Sequence, residues 1–280
     1  MGCTLSVKIH PNEQLSPYNR LMRRLGSPLA KQKRGNPLQP TVHTNNRRVN
    51  VECTRSCGAL FVGIDAYKEW PTLSCAVRDA TSMAEKFIKL GYQTTLLTNE
   101  DATCSAIMEQ LERCASSYDS FVIGLYGHGI CPKEIGGMFL PVDASSEPHS
   151  YDKIHASMLK TISERSRATS GVFILDFCYS GSFLIERRMR GASWDERLEN
   201  ERSRIVVTSG LSNERVDDGE VHSPFTSAML AAIDEQGVTS VIQLYLTIRN
   251  VLVEQEAACP KIGRYPSDGG GDVFLKRKSI

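Results

Sequence analysis

Short uninterrupted apolar runs alternate along this chain with longer stretches whose apolar residues return every three or four positions. Ala59-Leu-Phe-Val-Gly-Ile64 opens the series, and a run of that length suits a strand buried on both faces. Leu73 to Leu90 follows, with Ala76, Ala80, Met83, Ala84, Phe87, Ile88 and Leu90 at spacings of three and four, as on an amphipathic helix. Gly91 is placed to end that helix. The same alternation predicts strands over 94–97, 121–126, 172–176 and 205–208, and helices over 102–116, 154–165, 225–233 and 241–253. Met138-Phe-Leu-Pro-Val142 reads as a short extra strand or hairpin after Gly136-Gly137, and Asp272-Val-Phe-Leu275 as a last strand. Buried strands alternating with amphipathic helices specify an α/β domain, a mainly parallel sheet covered on both faces.

Two stretches break the pattern. Residues 1–56 carry no periodicity, and Pro11, Pro17, Pro28, Pro37 and Pro40 among Asn and Gln read as an extended, disordered tether. The folded domain is therefore expected over 57–280. Glu186 to Arg204 is dense in both signs of charge and reads as a long exposed loop.

Composition adds exclusions. The formal charge is +1, so no charge asymmetry points to nucleic acid as a partner. Hydrophobic residues make up 41% of the chain, as in ordinary soluble domains. Nine cysteines form no disulfide or zinc framework, which suits a reducing compartment. No apolar run reaches the ~20 residues of a membrane span.

The first six residues read as an address. Met1-Gly2-Cys3-Thr-Leu-Ser6 fits N-myristoylation at Gly2, with Cys3 beside it as a palmitoylation candidate. One acyl chain binds marginally, and a second chain or a basic segment makes anchoring stable. From Lys8 to Arg48 the basic residues face a single acid, Glu13. Such a segment is drawn to anionic lipid by ~1 kcal/mol per charge. The expected location is the cytoplasmic face of a membrane, the plasma membrane or an extension of it.

Candidate chemistry lies at two strand ends. Ser120-Phe-Val-Ile-Gly-Leu-Tyr-Gly-His128 and Gly171-Val-Phe-Ile-Leu-Asp-Phe-Cys178 each finish on a reactive side chain, where parallel sheets gather catalytic groups. Cys178 needs its thiolate to attack a carbonyl, and His128 can take the proton. Gly129 and Cys178 are the candidate oxyanion amides. Asp176 lies two residues before Cys178 and so on the same strand face. A carboxylate there attracts an Arg or Lys side chain. Asp79, near the start of the first helix, also belongs at this edge, although an acid there has an ordinary dipole explanation.

These residues resemble the caspase-like cysteine peptidases, and among them the metacaspases. The caspase histidine precedes its cysteine by about 50 residues, and His128 precedes Cys178 by 50. Asp176-Phe-Cys-Tyr-Ser-Gly181 is close to the metacaspase Asp-x-Cys-His-Ser-Gly. Leu73-Ser-Cys-Ala-Val-Arg-Asp79, Gly137-Met-Phe-Leu-Pro-Val-Asp143 and Ser223-Pro-Phe-Thr226 resemble further family segments, so the likeness runs from about 58 to 276. It implies the caspase-hemoglobinase fold, with about six strands sandwiched by helices. It also implies a Cys/His dyad endopeptidase cutting peptides after Arg or Lys. Asp79 and Asp176 fall where the family keeps its acidic specificity pocket. An acid from the small-subunit half joins them, with Asp217, Asp218 and Glu220 as candidates and Asp218 singled out.

Departures from the family pattern set further expectations. Leu125-Tyr-Gly-His-Gly129 has Tyr126 where the family has a small Ser, and a tyrosine turned inward narrows the substrate pocket. No cofactor is expected. Many metacaspases need calcium, but only Asp143 and Asp152 resemble its ligand aspartates before Cys178, and Phe183-Leu-Ile185 replaces them after it. Calcium prefers six to eight oxygens, so weak or absent dependence is expected. The arginines of 186–204 are candidate self-cleavage points. The alternative reading is a catalytically weak caspase-like scaffold or regulator at the membrane. A nucleotide-binding α/β protein is disfavoured, because no glycine-rich phosphate loop follows the first strand.

Overall fold

The computed structural model describes residues 55–147, 150–184, 198, 200–210, 221–235, 238–255, 257 and 259–276. The expected tether, with Gly2 and Cys3, lies outside them. So do residues 185–197 and 199 of the charged loop, and 211–220 with Asp217, Asp218 and Glu220.

Six strands form the main sheet: β1 (Cys57–Gly63), β2 (Gln93–Thr98), β3 (Ser120–Gly127), β7 (Ser170–Phe177), β8 (Ser203–Thr208) and β10 (Lys261–Arg264). Their spatial order is β10-β8-β7-β3-β1-β2. All pairings are parallel except β10 on β8. β3 and β7 are buried along their whole length, as central strands covered on both faces must be. Three short strands, β4 (Gly129–Ile130), β5 (Met138–Phe139) and β6 (Ile154–His155), make a small antiparallel sheet. β9 (Val238–Ser240) and β11 (Phe274–Lys276) pair as a separate ribbon.

Among the described residues five helices cover the sheet: α1 (Ala76–Lys89), α2 (Cys104–Ser117), α3 (Ala156–Arg165), α4 (Pro224–Ala232) and α5 (Val241–Glu254). One face of β3 and β7 presents Phe121, Ile123, Leu125, Phe173, Leu175 and Phe177 to Ile107 and Leu111 of α2 and Leu159 and Ile162 of α3. On the opposite face, Val122, Val172 and Ile174 meet Phe87 of α1, Met229 of α4 and Leu244 and Ile248 of α5. Side-chain caps fix three of these helix starts. Thr103 accepts from the amide of Ala106 at 3.3 Å, Ser223 from Thr226 at 2.9 Å and Ser240 from Gln243 at 3.2 Å. Gly91, at φ 83°, ends α1 as its position predicts.

Three expectations shift. The helix expected from Ile154 begins at Ala156, because Ile154–His155 is already committed to pairing with β5. The sixth strand of the main sheet is Lys261–Arg264; the run expected to end the sheet supplies β11 of the side ribbon. Arg204 does not belong to an exposed loop. It lies within β8 and is wholly buried. Its guanidinium donates to the carbonyls of Ser163, Ser166, Ala168, Thr169 and Ser203 at 2.6–3.3 Å and lies over the Phe121 ring. Burial lowers its pKa to about 10, leaving it charged at neutral pH. Five planar donors satisfy carbonyls that burial would otherwise leave without water.

Candidate active site

The spacing of His128 and Cys178 is the register of the sheet itself. Every pair from Ser120↔Ser170 to Gly127↔Phe177 joins residues 50 positions apart. His128 and Cys178 are the next residue on each chain, just past the carboxyl ends of adjacent strands. Neighbouring strands lie about 4.8 Å apart, so the two backbones leave the sheet side by side. Both side chains are half-buried. Gly129 closes the gap: a Cβ there would collide with the Cys178 carbonyl and the Phe177 ring.

His128 is held from two directions by the loop between β1 and α1. Its Nε2 lies 2.7 Å from the carbonyl oxygen of Pro71. A carbonyl only accepts, so Nε2 carries the proton and the neutral ring keeps its lone pair on Nδ1. Tyr67 packs against the imidazole with ring centres 4.8 Å apart and planes tilted by 46°. Its hydroxyl accepts from the His128 amide at 2.8 Å and donates to the Leu140 carbonyl at 3.2 Å. The absent side chain of Gly127 makes room for that hydroxyl. Trp70 Nε1 donates to the Ala144 carbonyl at 3.1 Å and anchors the loop. Neither Tyr67 nor Pro71 stood out in the sequence, because a loop carbonyl and a lone tyrosine leave no periodic trace.

Past Cys178 the chain turns sharply. Tyr179 adopts the left-handed conformation at φ 62°, which is costly for a bulky residue and common at functional turns. Its carbonyl accepts from the amide and the hydroxyl of Ser182 at 3.0 and 2.7 Å.

Asp79, Tyr126 and Asp176 come together beside this edge. Tyr126 and Asp176 are register partners on adjacent strands, and Asp79 comes from the first turn of α1. The carboxylates are 1% and 7% exposed, and the chain's own donors occupy them. Asp79 takes His222 Nδ1 at 2.5 Å and the Ser223 amide at 3.1 Å. Asp176 takes the hydroxyls of Ser223 at 2.5 Å and Thr226 at 2.9 Å. Burial, then the neighbouring Asp176, pushes the Asp79 carboxyl up to about 6, against the opposing pull of Ser223 and His222. Ser223 and Thr226 are legible in the sequence only as a segment resembling the family's helix start, and His222 not at all.

Asp143 and Asp152 serve other ends. Asp143 accepts from the amide of Cys104 at 2.8 Å, at the start of α2. Asp152 accepts from the Ser145 amide at 2.8 Å, from the Ser150 hydroxyl, and from Lys153 Nζ at 2.9 Å. The fully buried Lys153 ammonium also reaches the Glu147 carbonyl at 2.8 Å. The Asp152 carboxylate and the Glu147 carbonyl thus already face an internal cation, the Lys153 ammonium. Among the described residues no cluster of three or more His, Cys, Asp or Glu side chains is arranged to hold a metal.

Comparison with known proteins bears on the family and the fold. Residues 57–267 match a family model described as the caspase domain. Caspase-1 from Spodoptera frugiperda superposes with a TM-score of 0.56 at 11% identity, covering 88% of this chain and all of that one. A protein from Geobacter sulfurreducens gives 0.54 at 15% identity, covering 80% and 97%. At such identities the likeness concerns the fold. No curated protein matches the sequence.

Proposed function

The chain belongs to the caspase-domain family of cysteine peptidases, whose substrates are proteins, and from that premise we propose a membrane-anchored endopeptidase of metacaspase type that cuts after Arg or Lys. The observation that carries the dyad is the register of β3 on β7, which brings His128 and Cys178 to neighbouring positions at one sheet edge. The Pro71 carbonyl holds the Nε2 proton, so Nδ1 is the base. It takes the Cys178 proton as sulfur attacks the peptide carbonyl carbon. Negative charge then builds on the carbonyl oxygen, with the amides of Gly129 and Cys178 as its donors. Collapse of this intermediate breaks the C–N bond, and His128 returns the proton to the departing amine. A water molecule, deprotonated by His128, hydrolyses the thioester and restores the thiol.

Asp79 and Asp176 support the Arg/Lys preference, as acids grouped beside the nucleophile's strand; Asp218 is proposed as a third. The myristoylation pattern at Gly2, Cys3 beside it and the basic run after them support anchoring. A catalytically weak scaffold is the second reading. It is favoured by the burial of Tyr126 and by the internal hydrogen bonds on both carboxylates. Hydrolysis of fluorogenic Arg and Lys peptides by the wild type and by Cys178→Ala separates the two. The peptidase reading expects hydrolysis that vanishes in the variant; equal signals from both proteins leave the scaffold.

A further inference from the structure

Tyr126 is only 1% exposed, and its hydroxyl has no hydrogen-bond partner among the described residues. A buried phenol normally finds one, because leaving it unpaired costs about 1–3 kcal/mol. Its surroundings are nevertheless specific. The ring crosses the strand over Gly124, where a Cβ would lie 2.8 Å from Tyr126 Cε2. A residue with a side chain at 124 would evict it. The phenol stands beside Asp176 in register. Burial raises its pKa most, followed by the charges of Asp176 and then Asp79, so it sits within electrostatic reach of both carboxylates. Asp176 in turn shares a strand face with Cys178, two residues on. A bulky, buried side chain therefore stands in register beside an acid of the nucleophile's own strand and, among the described residues, gains no hydrogen bond there.

We infer that Tyr126 is a specificity-determining plug: it occupies the volume a Lys or Arg side chain needs to reach Asp79 and Asp176, and so slows this enzyme on basic peptides. The inference rests on the peptidase reading for its kinetic consequence, but its steric content does not depend on catalysis. Removing the phenol frees volume in register with Asp176 and within electrostatic reach of Asp79, which suits an amidinium or ammonium group.

The test compares the full chain with Tyr126→Ser and Tyr126→Phe, each also carrying Cys178→Ala for binding work. Tyr126→Ser is expected to raise the ratio of kcat/KM for Arg over Ala peptides about tenfold or more. Tyr126→Phe keeps the ring and is expected to leave that ratio at the wild-type value. Benzamidine is expected to raise the melting temperature of Tyr126→Ser/Cys178→Ala and not that of Cys178→Ala alone. Should the serine variant fail to fold, Tyr126→Val carries the same expectations. Cys178-dependent cleavage with an unchanged Arg-to-Ala ratio overturns the plug and leaves the peptidase reading standing. Benzamidine stabilisation without cleavage by any variant supports the plug and overturns the peptidase reading. A ratio that rises equally in Tyr126→Phe overturns the steric argument.

Discussion

At the scale of single residues, Asp79 is the group whose chemistry the fold changes most measurably. Its carboxyl titrates near 6 in the folded protein, above the ~4 of an unfolded chain. The native state thus holds this proton more tightly than the unfolded state does. The resulting stabilisation is complete below about pH 4 and is lost as pH rises through 6. Asp176 and His222 face the same carboxyl. Compared with Asp79→Asn, which cannot titrate, the wild type should lose relative stability between about pH 4 and 6.5. Melting curves across that range check it, and a constant difference would mean that the carboxyl is not raised. His128 illustrates the opposite kind of control, in which geometry and not burial selects the reactive nitrogen. One loop carbonyl, Pro71, fixes which nitrogen can act as the base.

At the scale of elements, the register of β3 on β7 converts a sequence separation into a site. Gly129 guards the approach of the two strand ends. Gly129→Ala should lower kcat by about 100-fold, since its methyl group must displace the Cys178 carbonyl or the Phe177 ring. The loss should come without unfolding, so kinetics and a melting curve measured together check it. Arg204 does the corresponding work at the other end of the sheet, where it ties β8 to the turns after α3 and before β7. Arg204→Leu should destabilise the domain by about 3 kcal/mol or more, because it strands buried carbonyls. Lysine should not rescue it, since one ammonium cannot span the five acceptors. Denaturant unfolding of both variants supplies the numbers.

At the scale of the whole molecule, the proposal joins a peptidase domain to a lipid-bearing segment. Gly2→Ala should move the protein from the membrane to the soluble fraction, because a basic segment without its acyl chains binds weakly. Unchanged fractionation would remove the anchor from the account. The sequence by itself determined the alternation of strands and helices, the mainly parallel sheet, and the two strands that end in His128 and Cys178. Those features are local: apolar runs, helical spacing and a reactive residue after a buried strand are written along the chain. β10 escaped notice because Lys261–Arg264 carries little apolar signal and gains its place only by pairing with β8. Arg204 looked like surface charge because a run of charged residues does not reveal which one the sheet swallows. Only the tertiary structure decided that Pro71 and Tyr67 orient the histidine, that His222, Ser223 and Thr226 occupy the two acids, and that Tyr126 is buried in register with Asp176. These contacts join residues 47 to 144 positions apart, and no local pattern can encode which distant side chain arrives to meet another.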